Sequence, residues 1–400
     1  MNRVGQLFAW LLNRIGKSFG NIPSLFVRIF YPVRKGAVAC WSFDFKQYSC
    51  NPRYLTEYLL ENNPGLDIYW IFRGNPDLKE IDSRIKCVKF HTWEYYKLIN
   101  TAEFLVTNCR TDAFRFYWIK RPGQKYIMLW HGGIALKKIE KDAQQLLGLS
   151  YIFKAKKDSR LCDLMVSGCD FQTRLLKESF WYKGEILEKG IPRSDIFFKK
   201  DLFPGIKSRI CSRYGIPETD RIVLYAPTFR RNRSLEPYSI DWKRMIPGLK
   251  EHFGGEEVTI FLRLHPNMIN TDISPLMTDP AIIDVTRYHD MQELLCIADL
   301  LITDYSSSMF DMSMLNKPQW RPCFLYATDI EQYDRGYYFK FSEMPYPVAK
   351  SNDELLEIIK TFDNEAYTSK VKNFFDDMVG LFEDGNASRH IAEWIEGHRL

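Results

Sequence analysis

Tyr126-Ile127-Met128-Leu129-Trp130-His131-Gly132-Gly133 and Leu300-Leu301-Ile302-Thr303-Asp304-Tyr305-Ser306-Ser307-Ser308 share one pattern: a short apolar run that stops at polar or small residues. Four apolar residues without alternation suit a strand covered on both faces, as in a parallel sheet. The polar residues just past its carboxyl end then face the crevice where ligands of such sheets bind. Outward from these stretches the same pattern recurs. Strands are predicted at Ala37–Phe43, Asp67–Phe72, Phe104–Thr107, Tyr126–Trp130 and Leu164–Ser167, with helices following Asn51, Thr92 and Asp170. After a break at Gly190-Ile191-Pro192-Arg193 it restarts. Strands follow at Ile222–Tyr225, Val258–Leu264, Ile282–Val285, Leu300–Thr303 and Trp320–Leu325, and helices at Trp242–His252, at Met291–Ala298 and from Ser306. Such alternation predicts two doubly wound, Rossmann-like α/β units facing a cleft.

A chain of 400 residues is comfortable as two domains. The expected division is a basic amphipathic segment (1–35), an N-terminal Rossmann-like domain (36–189), a C-terminal one (190–375), and helices packing back across the junction (376–400). In the first segment Leu7, Leu11, Leu12, Ile15 and Phe19 recur at helical spacing, and the first 43 residues contain no Asp or Glu. That predicts an in-plane helix on an anionic membrane surface, a helix packed on its own domain being the alternative. No run of about 18 apolar residues exists to span a bilayer. A net charge of +5 without a concentrated basic patch gives no sign of nucleic-acid binding. Nine cysteines without C-x-x-C spacing read as reduced thiols, with no zinc site.

Four constellations fall at predicted strand ends. Trp130-His131-Gly132-Gly133 offers a candidate general base, with glycines that admit a ligand close to backbone and open a following helix carrying Lys137 and Lys138. A histidine capping a helix in the core would read the same way. Arg263-Leu264-His265-Pro266 aims a cation and an imidazole to one side of a strand, as a phosphate requires. Asp304 to Ser308, followed by Asp311, offers hydroxyls at a helix start, where a plain N-cap is the rival explanation. Thr228-Phe229-Arg230-Arg231 supplies guanidinium groups suited to phosphate. Arg193, between the units, can reach either side. Loops of the G-x-x-x-x-G-K-[ST] and G-x-G-x-x-G types, H-E-x-x-H and G-x-S-x-G are all missing, so kinase-like, dehydrogenase, zinc-protease and hydrolase readings lose support.

Together these residues resemble the CDP-glycerol glycerophosphotransferases of teichoic acid and capsule synthesis. The resemblance is carried by Lys46-Gln47-Tyr48-Ser49 with Asn51-Pro52-Arg53, by Trp130-His131-Gly132 with Leu136-Lys137-Lys138, and by Gly190-Ile191-Pro192-Arg193-Ser194-Asp195. Ala226-Pro227-Thr228, Arg263-Leu264-His265-Pro266, Thr303-Asp304-Tyr305-Ser306-Ser307 and Glu383-Asp384-Gly385 follow in the family's order. It implies a GT-B-type fold, with acceptor on the N-terminal domain and nucleotide on the C-terminal one. It implies transfer of glycerol phosphate, or another polyol phosphate, from CDP-glycerol or CDP-ribitol to a hydroxyl of a lipid-linked or polymeric acceptor, releasing CMP. His131 would be the base and His265 the second essential histidine. Trp130, Gly132, Gly133, Arg193, Thr228, Arg230, Arg263, Ser306, Ser307 and Asp311 would surround the donor, and the cytosine would lie at Asp284-Val285-Thr286. No tightly bound cofactor is implied, although a loosely held divalent cation is compatible, and the expected location is peripheral, on the cytoplasmic face of the cell membrane. Gly133 and Ile134 depart from the threonine and proline of many members, which leaves polyol and acceptor open. A nucleotide-sugar glycosyltransferase on the same fold and an inactive membrane scaffold remain as rivals.

Overall fold

The computed structural model describes residues 21–76, 81–110, 120–230, 234–314, 321–329 and 336–400. Two parallel sheets with helices make the chain an α/β protein. The first contains β1 (Arg34–Trp41), β2 (Asp67–Phe72), β3 (Lys86–Lys89), β4 (Ala102–Thr107), β5 (Lys125–Met128), β6 (Leu164–Ser167) and β7 (Glu185–Glu188). The second contains β8 (Arg221–Tyr225), β9 (Val258–Leu262), β10 (Ile282–Asp284), β11 (Leu300–Thr303), β12 (Cys323–Tyr326) and β13 (Val348–Ala349). Their orders are β3-β2-β1-β4-β5-β6-β7 and β10-β9-β8-β11-β12-β13. Both therefore reverse direction once, between β1 and β4 and between β8 and β11. The central strands β4 and β11 are buried along their whole length, which is why Phe104–Val106 and Leu300–Ile302 read as apolar runs; the one charge in them, Glu103, accepts the Gly36 N–H.

Three edge strands escape the sequence pattern. β3 (Lys-Cys-Val-Lys) and β7 (Glu-Ile-Leu-Glu) carry charges at both ends because an edge is partly solvated, and β13 has two residues. A second difference concerns the segment after His131. No helix starts at the glycines; the first helical turn is Glu140–Leu146. Instead the segment runs out to the other half of the molecule, where the Lys138 N–H donates to Gly336 O (2.7 Å) and the Tyr338 N–H to Leu136 O (2.8 Å). Pairing with a distant strand-like segment has replaced local helix formation.

Residues 1–20, including Leu7 to Phe19, lie outside the described residues. The helix Asn21–Phe30 follows them. Its Val27 is buried, Ser24 accepts a hydrogen bond from Asn100, and Arg121 caps its end through the carbonyls of Arg28 and Tyr31. Ile22, Leu25, Phe26, Ile29 and Phe30 stay exposed, beside the exposed Trp93. No helix among the described residues is long and apolar enough to cross a membrane.

The chain's end returns to its beginning: Ile391, Ala392, Trp394 and Ile395 of the helix Ala387–Gly397 pack with Leu55 and Leu59 against the first sheet. The connection between the sheets is held from below by Glu383, whose carboxyl accepts the Ile191 N–H (3.2 Å). Burial pushes that carboxyl up to about 8. Gly168 and Gly190 must be glycines here, since a Cβ would meet the Glu383 carboxyl oxygens at 2.0 and 2.5 Å.

Candidate active site

A cleft of about 630 Å³ lies where the carboxyl ends of the two sheets meet. Both direction reversals contribute to its wall. From the first sheet come Phe43 to Cys50 after β1 and Cys109 after β4; from the second come Ala226 to Phe229 after β8 and Ser306 to Ser308 after β11. Ligands of doubly wound sheets bind at such reversals. Here one cavity serves two of them.

On the side of the second sheet, β9 ends at Leu262; Arg263, Leu264 and His265 all border the cleft, and of the three only Leu264 is buried in the core of that half. The Arg263 guanidinium donates to the carbonyls of Tyr288 (3.1 Å) and His289 (3.4 Å), its Nε is buried without a partner, and it makes no ion pair among the described residues. Burial lowers its pKa. An uncompensated cation at a cavity wall calls for an anion from outside, because a buried charge is costly unless paired. Thr228 and the serine run lie alongside; Ser308 Oγ donates to Ser306 Oγ at 2.9 Å.

His265 is exposed at the cleft, 5.5 Å ring to ring from Phe229. Its Nδ1 accepts the Asn267 N–H (3.1 Å), so in the neutral ring the proton sits on Nε2. Partial burial lowers its pKa, and the charges of Arg263, Lys137 and Lys46 add to the effect. Lys46 and Lys137 belong to the first half, so both halves act electrostatically on one imidazole.

Arg230 behaves differently from Arg263. Its guanidinium is spent internally, on Asp304 (2.9 Å), on Asp329 (2.7 and 2.9 Å) and on Thr228 O and Oγ1. It is absent from the cleft wall. Arg231 lies outside the described residues. Asp284, Val285 and Thr286 are also absent from the wall: Val285 is core, and Thr286 Oγ1 accepts the Leu264 N–H (3.0 Å), steadying the turn that carries His265.

On the side of the first sheet, His131 follows β5 and sits just behind the wall, its ring 5.7 Å from that of Phe43, which does line the cleft. Nδ1 donates to Asn108 O (3.0 Å), which leaves the lone pair on Nε2. Burial, reinforced by the Arg193 charge, lowers the pKa to about 4. The Trp130 ring lies tilted against the imidazole, centroids 4.4 Å apart, and the residue holds a left-handed backbone with φ 52°. For a bulky residue that conformation costs about 1–3 kcal/mol and persists only where its surroundings impose it. Gly132 faces open space, whereas a Cβ on Gly133 would lie 3.1 Å from Ile191 Cδ1. Arg193 and Asp311 line the cleft too but bond to each other (2.8 Å).

Asn108, which fixes the His131 tautomer through its backbone carbonyl, and Phe43, whose ring meets that of His131, gave no sequence signal, because both contacts exist only once the chain has folded. Asn51 gave one as part of a motif but without a role. Among the described residues no group of three or more His, Cys, Asp or Glu side chains is placed to hold a metal ion.

The profile of the CDP-Glycerol:Poly(glycerophosphate) glycerophosphotransferase family matches residues 24–397. The teichoic acid poly(glycerol phosphate) polymerase of Staphylococcus epidermidis is 31% identical over 378 residues, 91% of this chain and 51% of that protein. The chain thus spans about half the length of that relative. The teichoic acid glycerol-phosphate transferase of Staphylococcus aureus is 31% identical over 372 residues, 88% of this chain and 91% of that protein. A solved structure of the wall teichoic acid polymerase TagF, a histidine variant soaked with CDPG, superposes with a TM-score of 0.79 at 29% identity, covering 100% of this chain and 98% of that one. A profile that runs from the N-terminal helix to the C-terminal one leaves one conclusion: the chain belongs to the CDP-glycerol glycerophosphotransferase family.

Proposed function

We propose that the chain transfers glycerol phosphate, or a related polyol phosphate, from a CDP-activated donor to a hydroxyl of a teichoic-acid-like or capsular acceptor and releases CMP. The observation that carries this reading is Arg263, a half-buried cation that makes no ion pair among the described residues, opening with His265 and the serine run onto the cleft between two sheet reversals. That combination suits a nucleotide diphosphate. Relatives that polymerise or transfer glycerol phosphate, and a TagF structure soaked with CDPG, support the choice of donor.

In this reading the halves face one another in a GT-B-type arrangement, donor on the second and acceptor on the first. His131 Nε2 takes the proton of the attacking hydroxyl as its oxygen bonds to the polyol-bearing phosphorus. The bond from that phosphorus to the bridging oxygen breaks, and CMP carries the charge away. Arg263 and the Nε2–H of His265 meet that charge. Positioning and electrostatics supply most of the acceleration in phosphoryl transfer. Among the described residues no cluster of His, Cys, Asp or Glu would hold a metal for this step, and a divalent ion, where one takes part, would travel with the donor's phosphates.

The test is incubation with CDP-glycerol and CDP-ribitol separately, with a lipid-linked polyol phosphate as acceptor. CMP release that depends on the acceptor supports the reading. Release of a nucleoside diphosphate from a nucleotide sugar would support the glycosyltransferase alternative instead.

The exposed apolar face of the helix Asn21–Phe30 supports a peripheral site of action on the cytoplasmic face of the membrane. Leu25→Glu with Ile29→Glu, both at exposed positions, should reduce sedimentation with anionic vesicles. Undiminished sedimentation would remove this helix from the membrane contact.

A further inference from the structure

Three successive carbonyls around His131 are held by two side chains. Asn51 is fully buried; its Nδ2 donates to Leu129 O (3.1 Å) and Trp130 O (2.8 Å), and its Oδ1 accepts the Arg193 N–H (2.9 Å). Arg193 Nη1 donates to His131 O (2.7 Å). Its Nη2 crosses to Asp311 Oδ1 (2.8 Å), and Asp311 Oδ2 accepts from Gln292 (3.2 Å). Asp311 lies on the helix Ser308–Met314, directly after the serine run. An unbroken chain of hydrogen bonds therefore runs from the His131 peptide to the element that bears the serines.

We propose that Asn51 and Arg193 are positioning residues: a buried clamp that sets the His131 peptide and holds it in register with the serine run of the second half. The inference rests on His131 being the base, and it gives Arg193 a positioning role across the two halves. Both Nη groups of Arg193 already donate to protein oxygens, so its guanidinium is fixed by the protein between the His131 peptide and Asp311 before any donor arrives. The clamp also accounts for the left-handed Trp130. A residue whose own carbonyl and both neighbouring carbonyls are tied cannot relax to an ordinary backbone conformation. Proximity effects make such registration valuable, since displacement of a reacting group by about 1 Å can cost about 10²-fold in rate.

Asn51→Asp tests the clamp with little change in volume. It keeps an acceptor for the Arg193 N–H and turns the donating edge into a carboxylate oxygen facing two carbonyls. The expected result is a fall in kcat of about 10²-fold with the Kd for CDP-glycerol, measured by calorimetry, unchanged. The ¹⁵N resonances of the His131 ring should move away from the Nδ1–H tautomer. Arg193→Lys, which cannot bridge two acceptors in a fork, should act in the same direction and serves if Asn51→Asp does not fold. A rise in donor Kd with kcat intact at saturation, for either Arg193→Lys or Arg193→Gln, would make Arg193 a donor ligand and overturn the inference. Unchanged kcat and unchanged ring resonances in Asn51→Asp would do the same. If the wild-type chain releases no CMP, it is the proposed function that falls, while the ring resonances still report on the clamp.

Discussion

His131 and His265 stand just past the carboxyl ends of interior strands, β5 and β9, in two sheets of related order, yet the backbone around them sets their rings in opposite states. Asn108 offers His131 a carbonyl, so Nδ1 keeps the proton and Nε2 the lone pair. Asn267 offers His265 an N–H, so Nδ1 accepts and Nε2 bears the proton. One ring is set to take a proton and the other to give a hydrogen bond. The first is tucked behind Phe43 and clamped by its neighbours; the second is exposed beside Arg263. The lesson is that side-chain identity did not assign the two roles. A single backbone group beside each ring did.

The largest expected effect breaks the pair at its fixed member. His131→Gln removes the base, and kcat should fall about 10²–10⁴-fold with donor Kd unchanged. His265→Ala removes one donor from the leaving diphosphate. It should cost about 10²-fold in kcat and weaken donor binding as well, whereas His265→Gln, which keeps an N–H donor, should recover part of both. Rapid-quench measurement of CMP release together with calorimetry of CDP-glycerol separates the cases. Equal losses at both positions, with donor binding untouched in each, would erase the distinction between the roles.

The pH profile sharpens the same contrast with a smaller effect. With a pKa near 4, His131 is neutral throughout the ordinary range, and the acid limb of kcat belongs near pH 4. At pH 5.5 an unperturbed imidazole would be only about one-tenth neutral, so the depressed pKa is worth about tenfold in active base there. A limb at about 6.5 would show that the ring is not shielded as described. Stability follows with a definite sign. The folded pKa lies below that of the unfolded chain, so the unfolded chain binds the proton first and stability is lost as pH falls from about 6.5 toward 4. His131→Gln should flatten that part of a Tm-against-pH curve.

How much of this was legible beforehand depends on distance along the chain. β2, β6 and β11 begin and end where the sequence predicts, since the apolar residues that mark them are mostly buried. The edge strands β3 and β7 were not legible, because solvated strands carry charge. Strand-end chemistry was visible as residue types but not as partners. Arg230 and Arg263 look alike in sequence, each just past a strand. Only folding brings Asp304 and Asp329 to Arg230 and leaves Arg263 without an ion pair among the described residues. Likewise the glycines after His131 suggested a helix start, and it took the Gly336–Tyr338 segment, two hundred residues away in rough terms, to pull that stretch out straight.

Those two glycines give the smallest and most local test of the His131 side. Neither has the left-handed backbone that would itself require glycine, so an alanine reports only on space. At Gly133 the new methyl would press on Ile191 Cδ1 at 3.1 Å, two residues from Arg193. The contact is with the end of a flexible side chain and can yield by a few tenths of an ångström, so a cost of about 1 kcal/mol is expected. That would appear as a drop of a few degrees in Tm with the acceptor KM little changed. At Gly132 the methyl meets nothing within 4 Å, so the fold should not register it. If that space beside the base is the path of the attacking hydroxyl, a methyl group there competes with the substrate, and Gly132→Ala should raise the acceptor KM severalfold at unchanged Tm. The order of the two alanines is therefore opposite in the two measurements. Should Gly132→Ala leave the acceptor KM untouched, the hydroxyl must reach Nε2 from another direction, past Phe43, and Phe43→Ala would become the variant that moves KM.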